Sequence, residues 1–379
     1  MVYLDYNATS PVRPEVRIAV EPFLEDAFGN ASSVHAKGRQ ARQAVENVRA
    51  ELLQALGDPS GRLIFTSGGT EADNLGLKGV LRALRHRGNH LLVSAVEHSA
   101  ILQAAEALAE EGMAVEQVRV DRQGTVELED LRRKIGPETV LISVMHANNE
   151  VGTVQPIREI GRIAKEKGIL FHTDAVQSFG KLPLDIRQEG IDLASISAHK
   201  LGGLKGTGAL YARQGVPLKP LLHGGPQEHQ FRGGTEGVPG IVGLGAAARA
   251  SFKDRQEGVL SQIQRLRDRL GQELKKIPRV EIYGHPTDRL PGTLNVGFWG
   301  CRADSLLMAF DLAGICASSG SACSSGSTEP SHVLLAMGIK PQEAEGSIRF
   351  SLGWGTTEAE IEDCLEKIPP IVERVRNAG

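Results

Sequence analysis

The sequence predicts an α/β protein: a large domain on a mostly parallel sheet covered by helices on both faces, followed by a smaller α+β domain. Three observations carry this. Short apolar runs at 63–65, 91–93, 140–144 and 169–172 alternate with amphipathic stretches at 75–84, 101–110 and 157–167, the rhythm of buried parallel strands joined by helices. That rhythm breaks at a Gly/Pro cluster, 234–245, which leads into a charged helical pattern reaching about Lys276. The chain has 379 residues, 41% of them hydrophobic, enough for two or three domains with sizeable cores.

Taken in order, residues 1–14 have no helical period and contain Pro11 and Pro14, so they read as an extended arm. Val45, Val48, Leu52, Leu53 and Leu56 fall at helical spacing in a region from Glu15 to about Gly57, interrupted by a loop at 29–33. After Pro278 come strands at 280–283 and 294–298, a helix from Asp304, a strand near Ile315, a helix at 333–337, a strand at 347–352 and a last helix from Thr357. The expected division is 15–255 for the large domain, and 1–14 with 256–379 for the small one.

Composition narrows the function. The net charge is −3 and aromatics are 4%, which disfavours nucleic-acid binding. Cys301, Cys316, Cys323 and Cys364 are too few and too irregular for a disulfide framework, and no pair has C-x-x-C spacing. His223 and His229 lack a third metal ligand nearby, so no metal is expected. The first fifteen residues carry Asp5, two prolines and Glu15 where a signal peptide needs an apolar core, and no run of eighteen apolar residues occurs. A cytoplasmic protein without a membrane span is expected.

Five segments could carry chemistry. In LIFTSGGTEADN, 63–74, a strand ends, Gly68 and Gly69 turn the chain, and Thr70 opens a helix whose free N–H groups suit a phosphate. It has neither the dinucleotide fingerprint nor a Walker loop, and alone would be only a helix start. In GILFHTDAVQS, 168–178, Asp174 follows the last apolar residue of a strand, at the sheet edge where ligands bind; taken alone, a helix-capping Asp is the preferred account. In DLASISAHKLGGLKGTGALY, 192–211, a strand delivers Ser197, His199 and Lys200 to a glycine-rich turn. A buried ammonium is expensive, so a lysine there makes sense as an imine-forming amine or a base. Phosphate cradle, carboxylate and lysine together are the equipment for pyridoxal 5'-phosphate. His98, just past the strand 91–93, could stack on its ring or be a surface histidine.

The fourth segment is 317–327, where ten of eleven residues are Ala, Ser or Gly and the other is Cys323. Such a loop offers little apolar surface to bury a thiol, which suits a nucleophile acting as thiolate; the other three cysteines, in more apolar or helical contexts, read as packing. In the fifth, SIRFSLGW at 347–354, Arg349 alternates with apolar neighbours on a strand. It is expected to hold a carboxylate bidentately, or to make a salt bridge within the small domain.

These segments resemble the cysteine desulfurases of the NifS-like branch, among the fold-type-I pyridoxal-phosphate enzymes of the class V aminotransferase family. The resemblance runs collinearly from YLDYNAT (3–9) through SGGTEADN (67–74), EHSAIL (97–102), NNEVGTVQPI (148–157), HTDAVQS (172–178), SAHKLGGLKGTGALY (197–211), RGGTEGVPGIVG (232–243) and SSGSACSSGSTEPSHVL (318–334) to IRFSLG (348–353). It implies a seven-stranded sheet in the large domain and PLP-dependent removal of sulfur from L-cysteine. The products would be L-alanine and a persulfide on Cys323.

By the same resemblance, Lys200 links to the cofactor, Asp174 pairs with its ring nitrogen, His98 stacks on the ring and Gln177 contacts the ring hydroxyl. Gly69, Thr70, Ser197 and His199 hold the phosphate, with Thr235 reaching in from the other subunit of a homodimer. Asn149 and Arg349 bind the substrate carboxylate. The sulfur would pass to an acceptor protein, an iron–sulfur scaffold or a tRNA-thiolation enzyme. Leu204, Gly237 and Trp354 stand where proline, asparagine and arginine are frequent. A selenocysteine lyase, a related aminotransferase and an inactive sulfur-relay scaffold are the alternatives.

Overall fold

The structure is a computed structural model and describes residues 1–320 and 330–378. The chain opens with β1 (Val2–Tyr3), α1 (Pro14–Leu24) and α2 (Ala36–Ala55). An alternating series follows: β2 (Arg62–Thr66), α3 (Gly69–Leu84), β3 (His90–Ser94), α4 (Ser99–Glu110), β4 (Ala114–Val118), α5 (Leu128–Lys134), β5 (Thr139–Ser143), α6 (Ile157–Lys167), β6 (Leu170–Asp174), β7 (Leu193–Ser197) and β8 (Gly208–Ala212). After α7 (Val238–Gln256) and α8 (Val259–Leu274) come β9 (Val280–Tyr283), β10 (Thr293–Phe298), α9 (Ala303–Leu312), β11 (Ile315–Cys316), α10 (His332–Ala336), α11 (Pro341–Ala344), β12 (Ser347–Ser351) and α12 (Glu358–Ala378).

Seven strands form one sheet in the order β2-β8-β7-β6-β5-β3-β4. Only β8 runs antiparallel to its neighbours, so the sheet is mostly parallel, as the apolar rhythm predicts. Strands buried on both faces read as continuous apolar runs; β3, β5, β7 and β8 are buried along their whole length. One core joins this sheet to α1, α2, α6 and α7, and another packs α3 and α4 on it. A separate core gathers α8, α9 and α12 around the antiparallel sheet β12-β10-β9, with Val2 and Leu4 of the arm.

Besides the four-residue α11, three elements depart from the sequence reading. β4 and α5 were not expected: β4 is a half-exposed edge strand without an apolar run, and α5 is one short charged helix. The long helical pattern is two helices, broken at Gly258, whose φ of 82° is left-handed. α7 begins inside the glycine cluster, because there the glycines admit neighbours rather than turn the chain. A Cβ on Gly245 would lie 2.9 Å from Val48 of α2.

α6 sits equally close to the loop before β7. A Cβ on Gly161 would fall 1.9 Å from the Glu189 carbonyl oxygen, so Gly161→Ala must push the helix away. Overpacking of this kind costs about 1–3 kcal/mol, expected as a lower urea midpoint; an unchanged midpoint would mean that α6 is not seated there.

Candidate functional site

Because β2, β7, β6, β5 and β3 point the same way, their C-terminal ends share one edge, the side of an α/β sheet where ligands bind. β2 leads to Gly69 and Thr70, β3 to His98, β5 to Asn149, β6 ends at Asp174, and β7 ends at Ser197 just before Lys200. A Cβ on Gly69 would lie 2.7 Å from Val176 Cγ2 and 3.7 Å from Ser197 Cβ. The start of α3 therefore abuts both the Asp174–Gln177 turn and the end of β7. A side chain at this position would have to push Val176 aside.

Lys200 Nζ donates to the carbonyls of Asn7 and Ala8, at 2.5 and 2.7 Å. Gln177 Nε2 donates to the same Asn7 oxygen at 2.9 Å. Asp174 is buried, and one of its oxygens accepts from the Val176 N–H at 2.8 Å. Burial pushes its carboxyl up to about 6, while that N–H and the Lys200 charge pull it down. His98 caps α4, its Nδ1 accepting from the Ala100 N–H at 3.1 Å. Burial first, and the Lys200 charge second, hold His98 down at about 4, so the ring is neutral at neutral pH. His199 is held to about 4 by the same two causes, and its Nδ1 lies 3.1 Å from Thr9 Oγ1.

Arg349 reaches this edge from β12. It is 1% exposed; one nitrogen donates to Asp5 Oδ1 at 2.9 Å and another to the Asn149 carbonyl at 3.2 Å. Its Nε has no hydrogen-bond partner among the described residues. The two residues expected to hold a carboxylate are thus in contact. Thr235 is exposed on the loop before α7, and Cys323 lies outside the described residues. Cys301 and Cys364 are buried, and burial raises both thiols, Cys364 to about 12.

The chemistry of the donor set fits pyridoxal phosphate. A primary amine can form an imine, a buried carboxylate can meet a cationic ring nitrogen, a neutral flat ring can stack, and a helix start with Thr70, Ser197 and His199 can take the phosphate.

Four groups at the site escaped the sequence reading. Asn7 bridges Thr293, Asn149 and Ser351 through its own bonds. Glu97 is fully buried, accepts from Ser94 Oγ and the Met145 N–H, and is raised by burial to about 8. His172 bonds Ser143 and Ser195 while lying 3.8 Å from Asp73, whose carboxyl is raised by burial and by nearby Asp174. YLDYNAT and EHSAIL contain the first two, but spacing alone gives no sign of their partners.

A carboxyl whose folded pKa is raised contributes stability below its ordinary range and loses it as pH rises through the folded value. For the cofactor-free protein, Asp174→Asn is therefore expected to raise stability at pH 7.5, with the gain beginning to shrink as pH falls below about 6 and vanishing near the ordinary carboxylate value of 3.8. Urea unfolding at several pH values measures this. A gain independent of pH would overturn the assignment of burial as the cause.

Among known proteins, the sequence matches the aminotransferase class-V family over residues 2–364. A cysteine desulfurase IscS of Methanosarcina thermophila is 47% identical over 376 residues, spanning 99% of this chain and 93% of its own. A NifS-like protein of solved structure superposes with a TM-score of 0.92 at 38% identity, covering 98% of this chain and 99% of that one. SspA, solved in complex with cysteine, gives a TM-score of 0.80 at 36% identity, over 93% of this chain and 99% of its own. With likeness of this depth over almost the whole length, on a fold that assembles the same sheet edge, the chain belongs to the class-V aminotransferase family, among its cysteine desulfurases.

Proposed function

We propose that this protein is a PLP-dependent cysteine desulfurase that moves sulfur from L-cysteine to Cys323 and releases L-alanine. One observation carries the reading: Lys200, Asp174 and His98 converge at one sheet edge, faced by Arg349 against Asn149. The cofactor, bound there, supplies an electron sink that weakens bonds at the substrate α-carbon and its neighbours.

The chain's own groups do the rest. Arg349 and Asn149 hold the substrate carboxylate, the arginine as a bidentate fork. Lys200 Nζ, next to the Asn7 and Ala8 carbonyls, would take the substrate α-proton and hold it as an ammonium for later return. Asp174 balances the positive ring nitrogen and so loses the penalty that burial imposes on its charge. His98 is a neutral plane that adds no charge beside the amine. Ser197, His199, Thr70 and the Gly69 N–H secure the phosphate, and Gln177 the ring hydroxyl. The Cys323 thiolate attacks the substrate sulfur. The carbon–sulfur bond breaks, a sulfur–sulfur bond forms, and protons complete alanine, so no outside oxidant or reductant is needed.

Three finer readings go with this one. The arm and residues 256–379 form the small domain, as the separate core around β10 suggests, although Val333, Leu334 and Met337 pack into the large one. The working unit is a homodimer to which Thr235 contributes across the interface; Ile18, Leu24, Phe28 and Val34, all exposed in one stretch of chain, support it. The persulfide serves a cytoplasmic acceptor protein in iron–sulfur assembly or tRNA thiolation. Among the described residues no helix is long and apolar enough to cross a membrane.

Mass spectrometry after L-cysteine treatment should find one added sulfur, on Cys323. Cys323→Ala should keep the cofactor's visible absorbance and lose persulfide and alanine turnover by about 100-fold or more. Lys200→Ala should lose that absorbance band, and an unchanged spectrum would contradict its role. Pyruvate in place of alanine would indicate an aminotransferase, and activity confined to selenocysteine a lyase for that substrate.

A further inference from the structure

After β8 the chain returns to the outer edge of the seven-stranded sheet and lies along it as a strap, 227–234. β2 is the last strand there, paired only with β8 among the described residues. The strap begins on three successive residues with left-handed backbone, Glu228, His229 and Gln230, at φ of 46°, 54° and 70°. Residues with a Cβ rarely accept that conformation, and such strain persists only where the surroundings enforce it. Glu228 enforces it here. Its carboxylate is buried, takes a forked pair of bonds from Arg49 of α2 at 2.8 and 2.9 Å, and accepts from the Phe65 N–H of β2 at 2.8 Å. The Arg49 guanidinium also stacks on the Phe65 ring, 4.8 Å from its centroid.

The far end of the strap lands on the start of α3. Phe231 lies against the Arg62 guanidinium, 4.6 Å from its ring centroid, and packs onto the core of α3 and α4. Arg232 then donates to both oxygens of Glu71, from Nε at 3.0 Å and from Nη2 at 3.4 Å. Glu71 stands in the first turn of α3, and its Oε2 reaches back to accept from the Ser67 N–H at 2.8 Å. The Gly68 cap has no side chain with which to fix that turn. One carboxylate therefore spans the turn that contains Gly69 and Thr70, and Arg232 holds that carboxylate from outside. A forked guanidinium–carboxylate pair fixes geometry as well as adding energy. No step assigned above uses Glu71, Arg232 or Glu228.

We propose that Glu71 and Arg232 are positioning residues for the cofactor phosphate: anchored through Glu228, their pair sets the turn from β2 into α3 so that the Gly69 and Thr70 N–H groups converge on that phosphate. The proposal rests on the pyridoxal-phosphate reading of the sheet edge and adds to it two residues whose part is to hold the turn. Anion binding at a helix start depends on where the first-turn N–H groups point. Relaxing the turn costs affinity for the phosphate alone. Lys200 keeps its reach for the aldehyde, because it follows β7 and is held by the Asn7 and Ala8 carbonyls.

The test uses the full-length protein stripped of cofactor and titrated with PLP and with pyridoxal, which carries the same aldehyde without the phosphate. The visible absorbance band of the bound compound reports its affinity. Glu71→Ala and Arg232→Ala should each weaken PLP binding about 10-fold and leave pyridoxal binding within about twofold of wild type. The double variant should lose no more than either single one, as a shared contact requires. Glu71→Gln, whose amide oxygen can still accept from Ser67, should fall between wild type and Glu71→Ala. Arg232→Ala removes only the partly exposed half of the pair, so it tests the contact even if Glu71→Ala folds poorly. Equal weakening of both compounds, or of neither, would overturn the positioning role. Wild-type protein that binds PLP no more tightly than pyridoxal would instead overturn the phosphate cradle itself.

Discussion

The site depends on where one amine is held. Lys200 Nζ reaches the Asn7 carbonyl, which also accepts from Gln177, while the Asn7 side chain donates to Thr293 and to the Asn149 carbonyl. A single asparagine of the N-terminal arm therefore ties the ends of β6 and β7 to β10 and to the turn after β5. Buried polar groups must find partners, and each of these partners comes from a different element. The amine is placed only when both sheets are in place.

Around that amine the electrostatics follow from burial. Desolvation is the larger cause at His98 and His199, and the Lys200 charge adds to it. Lys181, on the loop after the Asp174–Gln177 turn, is also held down, to about 7, by burial and by Lys200. Asp174 is the opposite case, because burial raises it and Lys200 opposes the rise. The pocket thus disfavours additional positive charge on its histidines and leaves the buried Asp174 carboxylate in need of a cation. A cofactor with a protonated ring nitrogen answers that need.

Much of this was legible in the chain. Asp174 ends a strand, Thr70, His98 and Lys200 come within a few residues after one, and a parallel strand carries whatever follows it to one edge. Arg349 stood out through alternation on β12, where a buried guanidinium needs an acceptor, and it has Asp5 and Asn149. The salt-bridge reading of that residue is met by Asp5, and its other nitrogen donates to the Asn149 carbonyl. Asn7, Glu97, Asp73 and His172 were not legible. Their polar partners lie across the fold, so no local period marks them. β4 and α5 were hidden for another reason: an edge strand and a short solvated helix bury too little to leave an apolar pattern.

By itself, the sequence determined what is local: the strand and helix rhythm, the glycine-led start of α3, and which reactive side chains lie beyond which strands. Those features follow from side-chain period and backbone sterics, which act over a few residues. Tertiary structure alone decided that Asn7 would hold Lys200, that the start of α3 would abut Val176, and that Ser331 would meet Glu150. Such contacts join residues far apart in the chain, and only the packing of both cores brings them within hydrogen-bond range.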